Sequence, residues 1–300
     1  MDVPGNPEDI GDRRKLMKSS MIAAAKCAVL LFLSLLVSLI LGGITSRLTG
    51  APAQDPAAMP SLFMGMLTVG IIQTLITALT ASRLNLDRIR LALVLAALLF
   101  GINHLLNIME SLVYMRNVYP PGEQLIQLVS GGAESLARGF LAAWLFGVPV
   151  PEAPRFRFSP SRRLALSWVG WTLVWFAVYI TAGMLIPMAV PGVSEYYFGE
   201  NGAMDRSLVA VGYLLQIPRA ALWILMAIPL AVCQKGDWWE KGLLAGVVFG
   251  GLMSSSLLIP NDLMPAVVRM AHLPEILFAN LFWGTVLVRG LRRYVREIPS

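Results

Sequence analysis

The sequence predicts an all-α, polytopic integral membrane protein with eight transmembrane helices, arranged as two parallel four-helix repeats, and three observations carry that prediction. The chain holds eight long apolar runs, each close to the roughly 20 residues a helix needs to cross about 30 Å of hydrocarbon. Short charged loops separate the runs, and Lys and Arg crowd into alternate loops. Of the 300 residues 56% are hydrophobic and 14% charged, with a mean hydropathy of +0.66. A water-soluble domain of that composition would expose too much apolar surface. Lipid cannot satisfy free backbone groups, so runs of this length have to be helices.

Taken in order, residues 1–18 form a polar tail with Arg13, Arg14, Lys15 and Lys18. The first run, 19–44, follows directly. A basic stretch, an apolar run and Ala51-Pro52-Ala53 imitate a secretory signal and its cleavage site, but the apolar part is too long for a signal core, so an uncleaved helix is expected. Runs at 60–82, 90–114 and 124–149 complete a first half, 19–149. A Pro- and Arg-rich linker at 150–163 leads to a second half, 164–290, with runs at 164–188, 207–233, 241–260 and 274–290. Between its first two runs, residues 187–206 carry Tyr196, Tyr197 and Phe198 and read as an interfacial aromatic anchor, with a lid as the alternative. Before the last run, Pro265 and Arg269 suggest a short interfacial helix with His272 in solvent. A basic tail, 291–300, ends the chain.

Of the 24 Lys and Arg, 17 fall in the two tails and the loops that share their side, and only Arg47, Arg116, Arg206 and Arg269 fall in the opposite loops. The positive-inside rule then places both termini in the cytoplasm of a cell membrane, plasma or bacterial inner. The net charge of +6 follows from this bias and favours membrane lipid as partner, not nucleic acid. Cys27 and Cys233 sit near cytoplasmic helix ends and read as packing residues, not a disulfide. The repeat rests on short echoes. Leu99-Phe100-Gly101 matches Val248-Phe249-Gly250, Thr68-Val69-Gly70 matches Ala210-Val211-Gly212, and Ala142-Ala143-Trp144 matches Leu281-Phe282-Trp283.

Ionisable groups inside the bilayer cost several kcal/mol unless paired or hydrated, so they mark candidate sites. The third run carries Asn103, His104, Asn107 and Glu110, with Asn103, Asn107 and Glu110 on one helical face and His104 at its edge. The fourth carries Gln127, Gly131, Glu134 and Arg138 on one stripe. Counted from the outer loop, His104 and Glu134 lie at nearly the same depth, about 15 Å down. The second half adds Gln216 and Arg219 in the sixth run, Asn261 and Asp262 after the seventh, and Glu275 and Asn280 in the eighth. A polar cavity opening outward is the expectation.

Each group also has a plainer reading. Glu134 and Arg138 can neutralise each other as an i,i+4 pair, and Asn103 and Asn107 can be interhelical glue. Arg219, which has no carboxylate in its own helix, calls for a partner across helices, Glu110 or Glu134. Ser254-Ser255-Ser256 reads as backbone-bonded packing. Two histidines exclude a three-histidine metal centre, and no other metal, phosphate-loop or nucleophile motif is present, so no metal site is assigned and the cofactor is left unknown.

Phe100-x-x-x-His104 and Glu134-x-x-x-Arg138-Gly139 are similar to pieces of the motifs of the CAAX-protease and bacteriocin-processing family. Here the two pieces stand in reverse order, Ala133 replaces a second acidic residue, and the final His-x-x-x-Asn is missing. The resemblance covers two helices and about ten residues, and neither fold nor activity is carried over.

The leading function is binding or transport of a polar or amphipathic substrate, a small molecule or a lipid, at Asn103, Asn107, Arg138, Gln216 and Arg219. An alternative is an intramembrane hydrolase or transferase with Glu110 or Glu134 as base, His104 as proton shuttle and Arg138 as anion stabiliser, acting on a lipid-linked or peptide substrate. A third is an accessory subunit with a membrane-protein partner.

Overall fold

Long apolar runs become long helices because each satisfies its backbone internally. The structure, a computed structural model, describes residues 7–50, 56–114, 121–147, 156–158, 162–199, 209–261 and 264–297. Its helices are α1 (Pro7–Thr49), α2 (Met59–Arg83), α3 (Arg88–Phe100), α4 (Leu106–Tyr114), α5 (Pro121–Phe146), α6 (Arg162–Ala189), α7 (Pro191–Phe198), α8 (Val209–Val232), α9 (Trp238–Ser255) and α10 (Ala266–Leu291). A π turn at Gly101–Leu105 joins α3 to α4. The linker and the C-terminal tail meet as a short antiparallel ribbon, β1 (Phe156–Phe158) and β2 (Val295–Glu297).

Among the described residues seven spans are long and apolar enough to cross a membrane, with α3, the π turn and α4 counted as one. The fourth run folds as α5, 26 residues long, but Glu134 and Arg138 in its middle keep it out of that set. It packs against α3 and α1.

Two loops meet at the basic end of the bundle. Leu84, after α2, bridges Gln234, after α8; Asn85 N–H donates to the Cys233 carbonyl (2.7 Å) and Lys235 N–H to the Arg83 carbonyl (2.9 Å). Each loop then starts a helix with an aspartate N-cap. Asp87 accepts from the Arg90 N–H, and Asp237 from those of Trp239 and Glu240. A constant shift of 150 positions (84 to 234, 87 to 237) exchanges the two loops. The same shift holds deeper in the bundle: a Cβ on Gly101 would strike the Met226 sulfur, and one on Gly251 would strike Ile76 Cδ1. In this register Leu99-Phe100-Gly101 aligns with Phe249-Gly250-Gly251, one residue away from the sequence echo, and the other two echoes fall out of register.

Close backbone approach, not side-chain bulk, joins the tightest helix pairs. Gly139 of α5 sits on Ala92 and Ala96 of α3, where a Cβ would come within 2.6 Å of the Ala92 carbonyl oxygen. Along the α9–α10 seam Gly242, Gly246 and Gly250 face Thr285, Leu281 and Leu277 in the same way. At the centre of the bundle Trp223, Trp283, Phe249, Leu91, Leu95 and Ile102 are fully buried. α1 lies at the edge of this core, touching α2 and α5 and reaching into it with Leu30, and only 11% of its apolar stretch is buried.

The structure corrects one element. α10 starts at Ala266, immediately after Pro265, and continues through Pro274, so the interfacial helix and the last span are one helix. Packing on α9 holds it together across the proline, whose missing N–H forfeits only one helical bond. His272 is therefore not solvated. It lies in α10, half-buried between the Glu275 carboxylate and the Tyr197 hydroxyl (3.1 Å) of α7. Arg269 is buried too, with its guanidinium donating to the carbonyls of Met264, Leu257 and Ile259.

Candidate functional site

Arg138 is the centre of the best-connected polar group inside the bundle. Its Nη2 pairs with Glu134 Oε1 one turn away (2.8 Å) and also donates to Ser38 Oγ of α1 (2.8 Å). Nη1 donates to Gln73 Oε1 of α2 (2.5 Å). The Ser38 hydroxyl donates in turn to Glu134 (2.6 Å), which closes a ring of three residues on two helices. On the other side Gln73 Nε2 reaches Ser255 Oγ of α9 (3.3 Å), so the network crosses from the first half into the second. The Arg138 and Glu134 side chains are 13% and 19% exposed. Arg138 Nε is buried with no hydrogen-bond partner.

A crevice opens beside this guanidinium. Leu30 and Ser34 of α1, Gln73, Thr74 and Thr77 of α2, and Arg138 line it, and it has room for about one water molecule. At 1.5 Å per residue Arg138 lies about 12 Å above the basic end of α5, and Thr77 and Gln73 about 9 and 15 Å above that of α2. The crevice thus sits in the basic half of the bundle, not toward the opposite end as the sequence suggested.

The π turn explains why the third run's polar face divides. An extra residue in one turn rotates everything beyond it. His104 faces α5, where a Cβ on Gly131 would fall on its ring, and it stacks on Phe100 at 6.3 Å. Glu110 instead faces α8 and forms an ion pair with Arg219, the cross-helix partner the arginine required. His104 lies level with Gly131, one turn from Glu134, and feels the charges of Glu134 and Arg138 without a hydrogen bond to either.

The remaining candidates lie apart from Arg138, and Asn103 Oδ1 is buried with no hydrogen-bond partner. The Asn107 amide donates to the Asn103 carbonyl across the π turn (2.8 Å). Gln216, fully buried, accepts from Trp175 Nε1 (3.2 Å) and donates to the Gly212 carbonyl (3.1 Å), so both ends of its amide are used. Ser255 and Ser256 bond back to their own helix, as expected, although Ser255 also receives Gln73. Cys27 and Cys233 are free thiols. Among the described residues no group of His, Cys, Asp and Glu could hold a metal ion.

Sequence reasoning missed Gln73, Ser38 and Ser34. A signal for them existed: α2 carries Gln73, Thr74, Thr77 and Thr80 on its buried face, and α1 carries Ser34 and Ser38 one turn apart.

Compared with known proteins, the chain matches no family model, and no curated protein or solved structure is detectably similar to it.

Proposed function

We propose that this chain is an eight-span membrane carrier for a polar or amphipathic substrate, built from two related halves, with its binding site around Arg138. One observation carries the reading: the buried Arg138–Glu134–Ser38 group borders a crevice and is tied across the halves through Gln73 and Ser255. The crevice lies within the first half and touches the second through Gln73, at the contact where a carrier's halves move against each other. The 150-position exchange of loops, caps and glycine contacts supports the relation of the halves. α5 is the eighth span in this reading, its charges paired inside the bundle as an intramembrane pair must be. The basic end faces the cytoplasm by the distribution of Lys and Arg. An intramembrane enzyme has weaker support, because His104 is hydrogen-bonded to neither carboxylate.

The test is accessibility. A Thr77→Cys variant in a Cys27→Ser, Cys233→Ser background is reconstituted in liposomes and exposed to an impermeant methanethiosulfonate from each face. A carrier is modified from both faces, because the crevice opens alternately. Modification from one face only leaves a receptor or an enzyme, and none from either makes the network structural.

A further inference from the structure

The substrate class of this site follows from what lines it and what covers it, an inference that rests on placing the binding site at Arg138. Every group lining the crevice except Leu30 is polar; the Arg138 Nε–H there has no partner, and the hydroxyls of Ser34 and Thr74 beside it can donate as well. The one nearby acid, Glu134, is already engaged by Arg138 and Ser38. This is an oxyanion environment, and a guanidinium with a spare N–H suits phosphate oxygens.

The route in is also built. Lys26, Leu30, Ser34 and Ser38 recur every fourth residue of α1 and so share one stripe. The stripe begins at the basic end, where the Lys26 ammonium lies 5.8 Å from the Phe146 ring at the end of α5. Ser34 is about 12 Å further along, beside Arg138 at the crevice. The wall of this track is α1, whose other faces, with Val29, Phe32, Leu36 and Ile40, are exposed apolar surface. A helix held on one side only is the part of the bundle that can move aside. With room for about one water, the crevice admits a larger group only when it does.

We infer that the Arg138 crevice receives the phosphate headgroup of an anionic membrane lipid, which passes Lys26 and enters sideways between α1 and α2 as α1 swings away. A free phosphate ion shares the chemistry but needs neither the stripe nor the movement of α1.

The experiment uses the full chain in phosphatidylcholine nanodiscs containing a small fraction of dioleoyl phosphatidic acid, with retained lipid counted by native mass spectrometry. Arg138→Gln is expected to lower phosphatidic acid binding at least tenfold, and Lys26→Gln to lower it less. Leu35→Cys/Gly70→Cys in the cysteine-free background pins α1 to α2, since a Cβ at Gly70 lies 3.2 Å from Leu35 Cδ2. Oxidation of that pair is expected to abolish exchange of the lipid, and reduction to restore it, which controls for folding within one sample. Equal binding by Arg138→Gln, or exchange unaffected by the crosslink, overturns the proposal. So does full competition by millimolar inorganic phosphate, which would identify a soluble anion as the ligand. The carrier reading fails separately, since one-sided labelling of Thr77→Cys leaves lipid binding intact.

Discussion

The same place in the two halves is filled by opposite chemistry. In the first half Gln73 of α2 meets Arg138, the residue before the seam glycine Gly139 of α5, and Ser38 of α1 accepts from Arg138 and donates to Glu134. A shift of 150 turns Gln73 into Trp223 of α8 and Ala96 of α3 into Gly246 of α9; Gly284 of α10 sits on Gly246 as Gly139 of α5 sits on Ala96, at an offset of 145 and not 150, and the residue before Gly284 is Trp283. Trp175 of α6 lies against both indoles, with ring centres 5.9 and 5.6 Å away. One backbone arrangement thus holds a charged, partly open group on one side and a closed aromatic cluster on the other. Burial of the three indoles stabilises, although Trp223 Nε1 and Trp283 Nε1 have no hydrogen-bond partner, whereas a buried ion pair is weak evidence for stability. On the function proposed above, the second half is scaffold and the first the working part.

The comparison can be broken most forcefully by removing one charge. Glu134→Ala leaves Arg138 buried with only neutral partners and is expected to destabilise the protein by about 3–5 kcal/mol, read as thermal unfolding in detergent. The double variant Glu134→Leu/Arg138→Leu, which gives the first half the apolar character of the second, is expected to recover most of that loss while losing ligand binding. If the double variant is as unstable as the single, the network is structural and the contrast between the halves has no functional content. Trp283→Ala sharpens the other side. It empties a fully buried site and is expected to cost about 3–5 kcal/mol, with ligand binding retained at temperatures where the variant stays folded.

The smallest effect concerns the thiols. Burial pushes the Cys233 thiol up, partly countered by Lys241 and Arg90. Less of it is thiolate at pH 8 than for an ordinary cysteine, so maleimide labelling is expected to be a few-fold slower than at an exposed thiol and to keep rising with pH beyond the usual range. A Cys233 labelling rate that levels off at ordinary thiol pH would contradict the tight packing of the loop pair around Leu84 and Gln234.

Much of this was legible in the sequence. Run length and hydropathy located every long helix, and the i,i+4 spacing of Glu134 and Arg138 foretold their pairing. Arg219 demanded a carboxylate from another helix, and Glu110 supplies it. The depth of the cavity was not legible, because it depends on which neighbours Arg138 chooses, and Gln and Ser in apolar helices serve equally as glue. The π turn was hidden as well. It adds one residue to a turn, which no apolar periodicity over so short a stretch records, yet it decides that His104 and Glu110 face different helices. The short echoes offered for a repeat do not share the 150-position register of the loops. The 150-position exchange shows instead in loop pairing and glycine contact, and these leave few letters in a helix rich in Ala, Leu and Val.

The most direct test of the first half as the working part is a high-resolution map of the protein in nanodiscs of extracted membrane lipid, with a bound antibody fragment as fiducial. The account predicts non-protein density between α1, α2 and α5 against Arg138 Nε, and none at the equivalent place between Trp223 and Trp283. A dry crevice with Arg138 fully satisfied by Glu134, Ser38 and Gln73, or density at both places alike, would contradict it.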